Sequence, residues 1–186
     1  VIDCGVNAGI LKMLASAGYG VTALPCTTSA ERVTEINPDG VFFSNGPGSP
    51  ENVPGALKIA AALAGKKPML GIGLGCEVIA QAFGARVYKM KFGHRASNHS
   101  VKNLDTGAVE VVVQNHGRGI DASSLEKSGL RATHINLNDN EIEGIEAPGK
   151  QAFGVMYFPQ PRPGAHDAPY VFGKFSGLMN KAKGGN

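Results

Sequence analysis

The chain of 186 residues has no tryptophan, four tyrosines and eight phenylalanines, so aromatic residues make up only 6% of it. Charge is also sparse, with 18 Lys and Arg against 15 Asp and Glu and a net charge of +3. Few aromatics and no basic run leave no footprint for nucleic acid, which needs clustered Lys and Arg on one face. No apolar stretch reaches the ~18 residues of a membrane-spanning helix. No signal-peptide pattern opens the chain: Val1 begins an apolar, strand-like run. A start without Met leads to the expectation of a piece cut from a longer chain. The three cysteines, Cys4, Cys26 and Cys76, are an odd number without zinc-finger spacing. In a chain too large to need staples they read as reduced thiols of a cytoplasmic protein.

Glycine, at 26 residues, is what the sequence has in abundance. Much of it separates periodic segments, as in an α/β protein with many short turns. The pattern predicts strands over 1–4, 21–24, 41–44 and 68–72. It predicts helices over 7–17, from a Ser29 cap to 36, over 54–64 and over 76–83. The middle reads as short β segments at 87–92, 109–114, 133–136 and 144–146, followed by a strand at 153–158 and a helix at 168–181. Strands alternating with helices predict a single α/β domain over 1–181, with a mostly parallel central sheet, helices on both faces and a flexible tail at 182–186. No internal repeat or low-complexity tract interrupts it.

Three stretches can carry chemistry. Asn45-Gly46-Pro47-Gly48-Ser49-Pro50 follows a predicted strand; it is either a sharp turn or a loop whose open N–H groups meet an oxyanion. Gly71-Ile72-Gly73-Leu74-Gly75 lies between a strand and a helix, the architecture of a nucleophile elbow, where a Cβ on a flanking residue would clash. The central residue here is Gly73, which has no side chain to act as nucleophile. A phosphate loop is disfavoured, because neither G-x-G-x-x-G nor the P-loop lysine is present. Gln114-Asn115-His116-Gly117 places a histidine in a loop, where a structural role is commoner than a catalytic one. The remaining histidines, His94, His99, His134 and His166, are scattered, and no spacing among them supports a metal site.

Taken together, the stretches Ser44–Pro50, Tyr88-Lys89-Met90-Lys91-Phe92-Gly93-His94, Asn98-His99, Gln114-Asn115-His116-Gly117, Gly144-Ile145 and Pro163-Gly164-Ala165-His166-Asp167 resemble the class I glutamine amidotransferase domain of the carbamoyl-phosphate synthetase small chain. The resemblance covers nearly the whole chain; the separate N-terminal domain of that small chain is not part of this sequence. It implies a flavodoxin-like fold and glutamine hydrolysis by a Cys-His-Glu triad, whose ammonia feeds a large synthetase subunit. It implies no cofactor and no metal.

The same resemblance implies an emptied site. The family's nucleophile falls at Gly73, and its His and Glu fall at Phe158 and Gln160. The glutamine-contacting positions Gly46, Gly48, Leu74, Asn115 and Gly117 persist. The family's Gln after the elbow corresponds to Glu77, and the aromatic after the Q-N-H-G stretch to Arg118. The expected function is therefore a silent amidotransferase-like domain, a structural or regulatory partner of a synthetase large subunit. One alternative is an active glutaminase recruiting Cys76, one helical turn beyond the elbow. Another is a repurposed binding module, in which Glu77 and Arg118 change the charge of the old pocket and suit a small molecule with its own charged groups rather than glutamine.

Overall fold

The structure, a computed structural model, describes residues 1–159 and 170–184. In chain order its elements are β1 (Ile2–Asp3), α1 (Ala8–Ser16), β2 (Leu24–Pro25), α2 (Ala30–Ile36) and β3 (Val41–Phe43). A single 3₁₀ turn, Pro50–Asn52, leads to α3 (Pro54–Leu63), β4 (Met69–Ile72) and α4 (Leu74–Ala82). Then come β5 (Val87–Asn103), β6 (Val109–Ile120), α5 (Ala122–Ser128), β7 (Arg131–Asn136), β8 (Ile142–Ala147), β9 (Ala152–Val155) and α6 (Tyr170–Gly184).

Helix starts follow local chemistry. The side chains of Asn7, Ser29 and Asp121 accept the N–H of Gly9, Arg32 and Ser123 respectively, and Pro54 opens α3. Asn37 and Gly129 end α2 and α5 in left-handed conformations.

The nine strands form one sheet in the order β2-β1-β3-β4-β9-β8-β7-β5-β6. The first five of these pair in parallel, and the rest in antiparallel fashion. The sheet of the α/β fold is thus mixed, parallel where strand–helix alternation predicts it and antiparallel through the middle of the chain.

Side chains alternate across the sheet. Val41, Phe43 and Met69 pack with α2, α3 and α4 on one face. Phe42, Leu70, Ile72, Phe153 and Val155 pack with α1 and α6 on the other. This double burial explains the near-continuous apolar runs of β3 and β4.

The departures from the sequence reading are local. The strand expected at 21–24 begins only at Leu24, and α4 starts at Leu74 rather than Cys76. The short segments expected at 87–92 and 109–114 are parts of strands of 17 and 12 residues, so Gln114 to Gly117 lies on β6 and not in a loop. Alternation of polar and apolar residues is broken there by register shifts, which hides the strands' length. The strand expected to 158 ends at Val155. Helix α5 has no counterpart in the sequence reading, and α6 continues to Gly184 through most of the expected tail. Among the described residues no helix is long and apolar enough to cross a membrane.

Candidate functional site

The carboxyl ends of β1, β3, β4 and β9 converge with β5 and β6 around a cleft of about 660 Å³. Such a crevice at the strand ends is where open α/β sheets hold ligands. At its floor is Gly73, between β4 and α4, with φ 54° and ψ −116°. Its N–H donates to the carbonyl of Val155 (2.8 Å), and its carbonyl accepts the N–H groups of Cys76 and Glu77.

The turn is tight on both sides. A Cβ on Gly71 would overlap the Gly75 carbonyl, and one on Gly75 would overlap the Phe43 carbonyl. At Gly73 itself a Cβ meets only Asn45, at 3.7 Å, an ordinary contact. The elbow thus has room for a side chain, and the sequence supplies none. Leu74 begins α4, and the N–H groups of Leu74 and Gly75, ahead of the bonded N–H of Cys76, have no carbonyl within the helix to donate to and face an anion's position.

Gly46 and Gly48 line the opposite lip. Gly46 lies against the backbone of Cys4, where a Cβ would overlap the Cys4 carbonyl, and Gly48 has φ 93°. Asn115, Gly117 and Arg118 enter from β6, and Phe158 from the segment after β9, held by its N–H donating to Val113 O (2.9 Å). Gly73, Phe158, Gly46, Gly48, Leu74, Glu77, Asn115, Gly117 and Arg118 therefore all face one cavity. Gln160 lies outside the described residues, as does the Pro163 to Asp167 stretch.

The cleft is charged. Glu77, on the first turn of α4, is 4% exposed, and its Oε2 has no hydrogen-bond partner. Burial pushes its carboxyl up to about 7, against the pull of Arg118 and His116. Arg118 also reaches Glu51 at 3.7 Å. Two further cations, Lys89 and Arg95, line the wall, and the sequence reading does not place them there. They are cross-strand partners of Arg118 and Asn115; only the β5–β6 register brings them to the cleft.

Cys76 has no access to this cleft. It is fully buried, and a Cβ on Gly154 would come within 2.9 Å of its Sγ. Burial, with Glu77 and Glu143 nearby, raises the thiol well above its ordinary value. Cys4 is likewise buried, its thiol pushed up to about 12 by burial and by neighbouring Cys26.

At the β6 wall, where His116 itself lines the cleft, a buried polar cluster begins that scattered sequence positions do not reveal. His94 and His116 are cross-strand partners on β5 and β6, their rings edge to face with centroids 4.9 Å apart. Glu143 of β8 lies between them, wholly buried. Both ring nitrogens of His94 face carboxylates, Nδ1 toward Glu143 at 2.8 Å and Nε2 toward Asp139 at 2.7 Å. The Glu143 hydrogen bond raises the His94 pKa to about 9, against the opposing effect of burial.

The family model for "Glutamine amidotransferase class-I" matches residues 1–178. The chain is 47% identical over 179 residues to a carbamoyl phosphate synthase small chain of Syntrophotalea carbinolica, covering 96% of this chain and 47% of that protein. It is 44% identical over 180 residues to the small chain of Listeria innocua, covering 97% of this chain and 50% of that one. For the small chain of Streptococcus pneumoniae the identity is 42% over 186 residues, covering 100% and 52%. The chain thus spans about half the length of the curated relatives it matches. Among solved structures, a putative GMP synthase protein from Thermoplasma acidophilum superposes with a TM-score of 0.83 at 17% identity, covering 98% of this chain and 94% of that one. That likeness establishes the fold, and the family match over nearly the whole sequence establishes the lineage: the chain belongs to the class-I glutamine amidotransferases.

Proposed function

We propose that this domain is a catalytically silent amidotransferase, acting as a structural or regulatory partner of a synthetase subunit that makes carbamoyl phosphate from free ammonia. The observation that carries this reading is the elbow. Gly73 has the positive-φ backbone of a nucleophile position and open space above it, but no nucleophilic atom. The apolar ring of Phe158, at the position the family resemblance assigns to the base, lines the same cleft. Attack on a glutamine amide needs both a nucleophile and a group to move its proton. Cys76 offers neither access nor a thiolate. The shape of the site is kept by glycines that pack backbone against backbone, so the fold is maintained without the chemistry.

The test is glutamate release from glutamine at high protein concentration, with and without a carbamoyl-phosphate synthetase large subunit, together with a binding measurement. Stoichiometric binding with no release is the expected result. Release that Cys76→Ser abolishes would overturn the reading. Gly73→Cys alone is expected to restore no turnover, because Phe158 cannot accept a proton.

A second reading, a repurposed ligand site, is favoured by one feature: Glu77, whose Oε2 has no hydrogen-bond partner, shares the cleft with Lys89, Arg95 and Arg118. A small molecule bearing both charges suits this arrangement better than glutamine's neutral amide does. A thermal-shift screen of amino acids distinguishes it, since a ligand at 100 times its Kd stabilises by roughly 2.7 kcal/mol.

A further inference from the structure

His116 donates from Nδ1 to the backbone carbonyl of Arg118 at 2.8 Å, since a carbonyl can only accept. Its Nε2 then faces Glu143 Oε2 at 3.4 Å. Both atoms are buried, and neither has a hydrogen-bond partner. A bare imidazole nitrogen and a carboxylate oxygen are both acceptors, and buried facing one another they are unsatisfied unless a cation lies between them. The third member is His94 Nδ1, on the other oxygen of the same carboxylate. One ligand atom from each of His94, His116 and Glu143 lies within 4.8 Å of the others, and all three residues are buried.

From this geometry we propose that His94, His116 and Glu143 bind a single divalent transition-metal ion of the Zn²⁺ class. Two imidazoles and one carboxylate, completed by a water, form a donor set that zinc accepts. Metal–ligand bonds of about 2.0–2.2 Å place tetrahedral ligands roughly 3.4 Å apart, the separation of His116 Nε2 from Glu143 Oε2. Each imidazole is already oriented through its other nitrogen, His116 by the Arg118 carbonyl and His94 by the Asp139 carboxylate. Such outer partners hold a metal-binding histidine in the correct tautomer. The ion takes the place of the proton shared between His94 Nδ1 and Glu143. It ties β5, β6 and β8 together directly behind Asn115 and Gly117, and so holds the wall of the cleft.

The experiment strips the purified chain with a chelator, then titrates it with Zn²⁺, and separately with Co²⁺, whose visible absorption reports coordination. Metal content is read by elemental analysis and the melting temperature is followed in parallel. The expected result is one Zn²⁺ per chain with a raised melting temperature. Binding should fall at least tenfold in His116→Ala and in the near-isosteric Glu143→Gln. Asp139→Asn, which touches only the orienting partner of His94, should weaken it about 10–100-fold. Cys26→Ser should bind as the parent chain does. Absence of Zn²⁺ uptake by the folded parent chain would leave a proton as the cation between Nε2 and Oε2 and overturn the proposal. Uptake that survives in His116→Ala and Glu143→Gln but is lost in Cys26→Ser would do the same, assigning the metal to the thiols.

Discussion

Gly73 and Gly75 are two residues apart and are glycine for different reasons. At Gly73 the constraint is torsional: φ is 54°, yet a Cβ would meet only ordinary contacts. At Gly75 it is steric, because a Cβ would run into the Phe43 carbonyl. Gly73→Ala should therefore cost about 1–3 kcal/mol, the strain of a side chain in a sparsely populated backbone region. Gly75→Ala should cost more, since main chain must move in the core. Urea midpoints of the two variants check this ordering, and a Gly75→Ala protein as stable as Gly73→Ala would contradict it. The flanking clash is legible in the sequence, because G-x-G-x-G between a strand and a helix leaves little room. The openness above Gly73 is not, since it depends on where Asn45 of another loop comes to lie.

Elements differ in how far the sequence reveals them. Helix α2 is readable because Ser29, a good cap, precedes a periodic stretch and Asn37-Pro38-Asp39-Gly40 follows it. Helix α5 escapes a reading by periodicity, although Asp121 and Gly129 bracket it as cap and stop, because its seven residues bury only Leu125. The β5–β6 hairpin is underread because its bulges interrupt the alternation that marks a strand. The positions of Lys89 and Arg95 in the cleft are lost with it.

Helix α6 provides a test at this scale. It is pinned to the antiparallel half of the sheet by the Tyr170 hydroxyl, which meets His134 Nε2 at 2.7 Å, Glu110 Oε1 at 3.0 Å and Asn103 Nδ2 at 3.3 Å. Tyr170→Phe leaves those buried partners without the hydroxyl, and a loss of about 1–3 kcal/mol is expected. Backbone hydrogen exchange in α6 should accelerate more than that in α3, which packs on the opposite face; equal acceleration would mean that the hydroxyl does not pin the helix.

For the molecule as a whole, two buried groups set opposing pH dependences in one window. His134 is buried and its pKa is lowered by desolvation to about 4, from an ordinary value of 6.5. Between those values the unfolded chain holds a proton there that the folded chain does not. His134 alone therefore makes stability rise with pH from about 4 to 6.5, and its contribution is lost as the medium becomes more acidic. Glu77 does the reverse. Its carboxyl titrates near 7 when folded and near 4.5 when unfolded, so in that interval the folded chain holds the extra proton and stability falls as pH rises. Each slope approaches about 1.4 kcal/mol per pH unit at most, and between pH 4.5 and 6.5 the two oppose each other. Glu77→Gln should remove the falling component and leave stability climbing with pH across that interval. His134→Gln should leave it declining, whatever the absolute stability of either variant. Urea unfolding of parent and variants at several pH values reads the slopes directly. A Glu77→Gln protein whose slope matches the parent's would mean that the cleft carboxyl titrates alike in the folded and unfolded chains. Glu77 would then carry its negative charge beside Lys89, Arg95 and Arg118 across that whole interval, and a ligand bearing both charges would meet an ionised carboxylate at every pH within it.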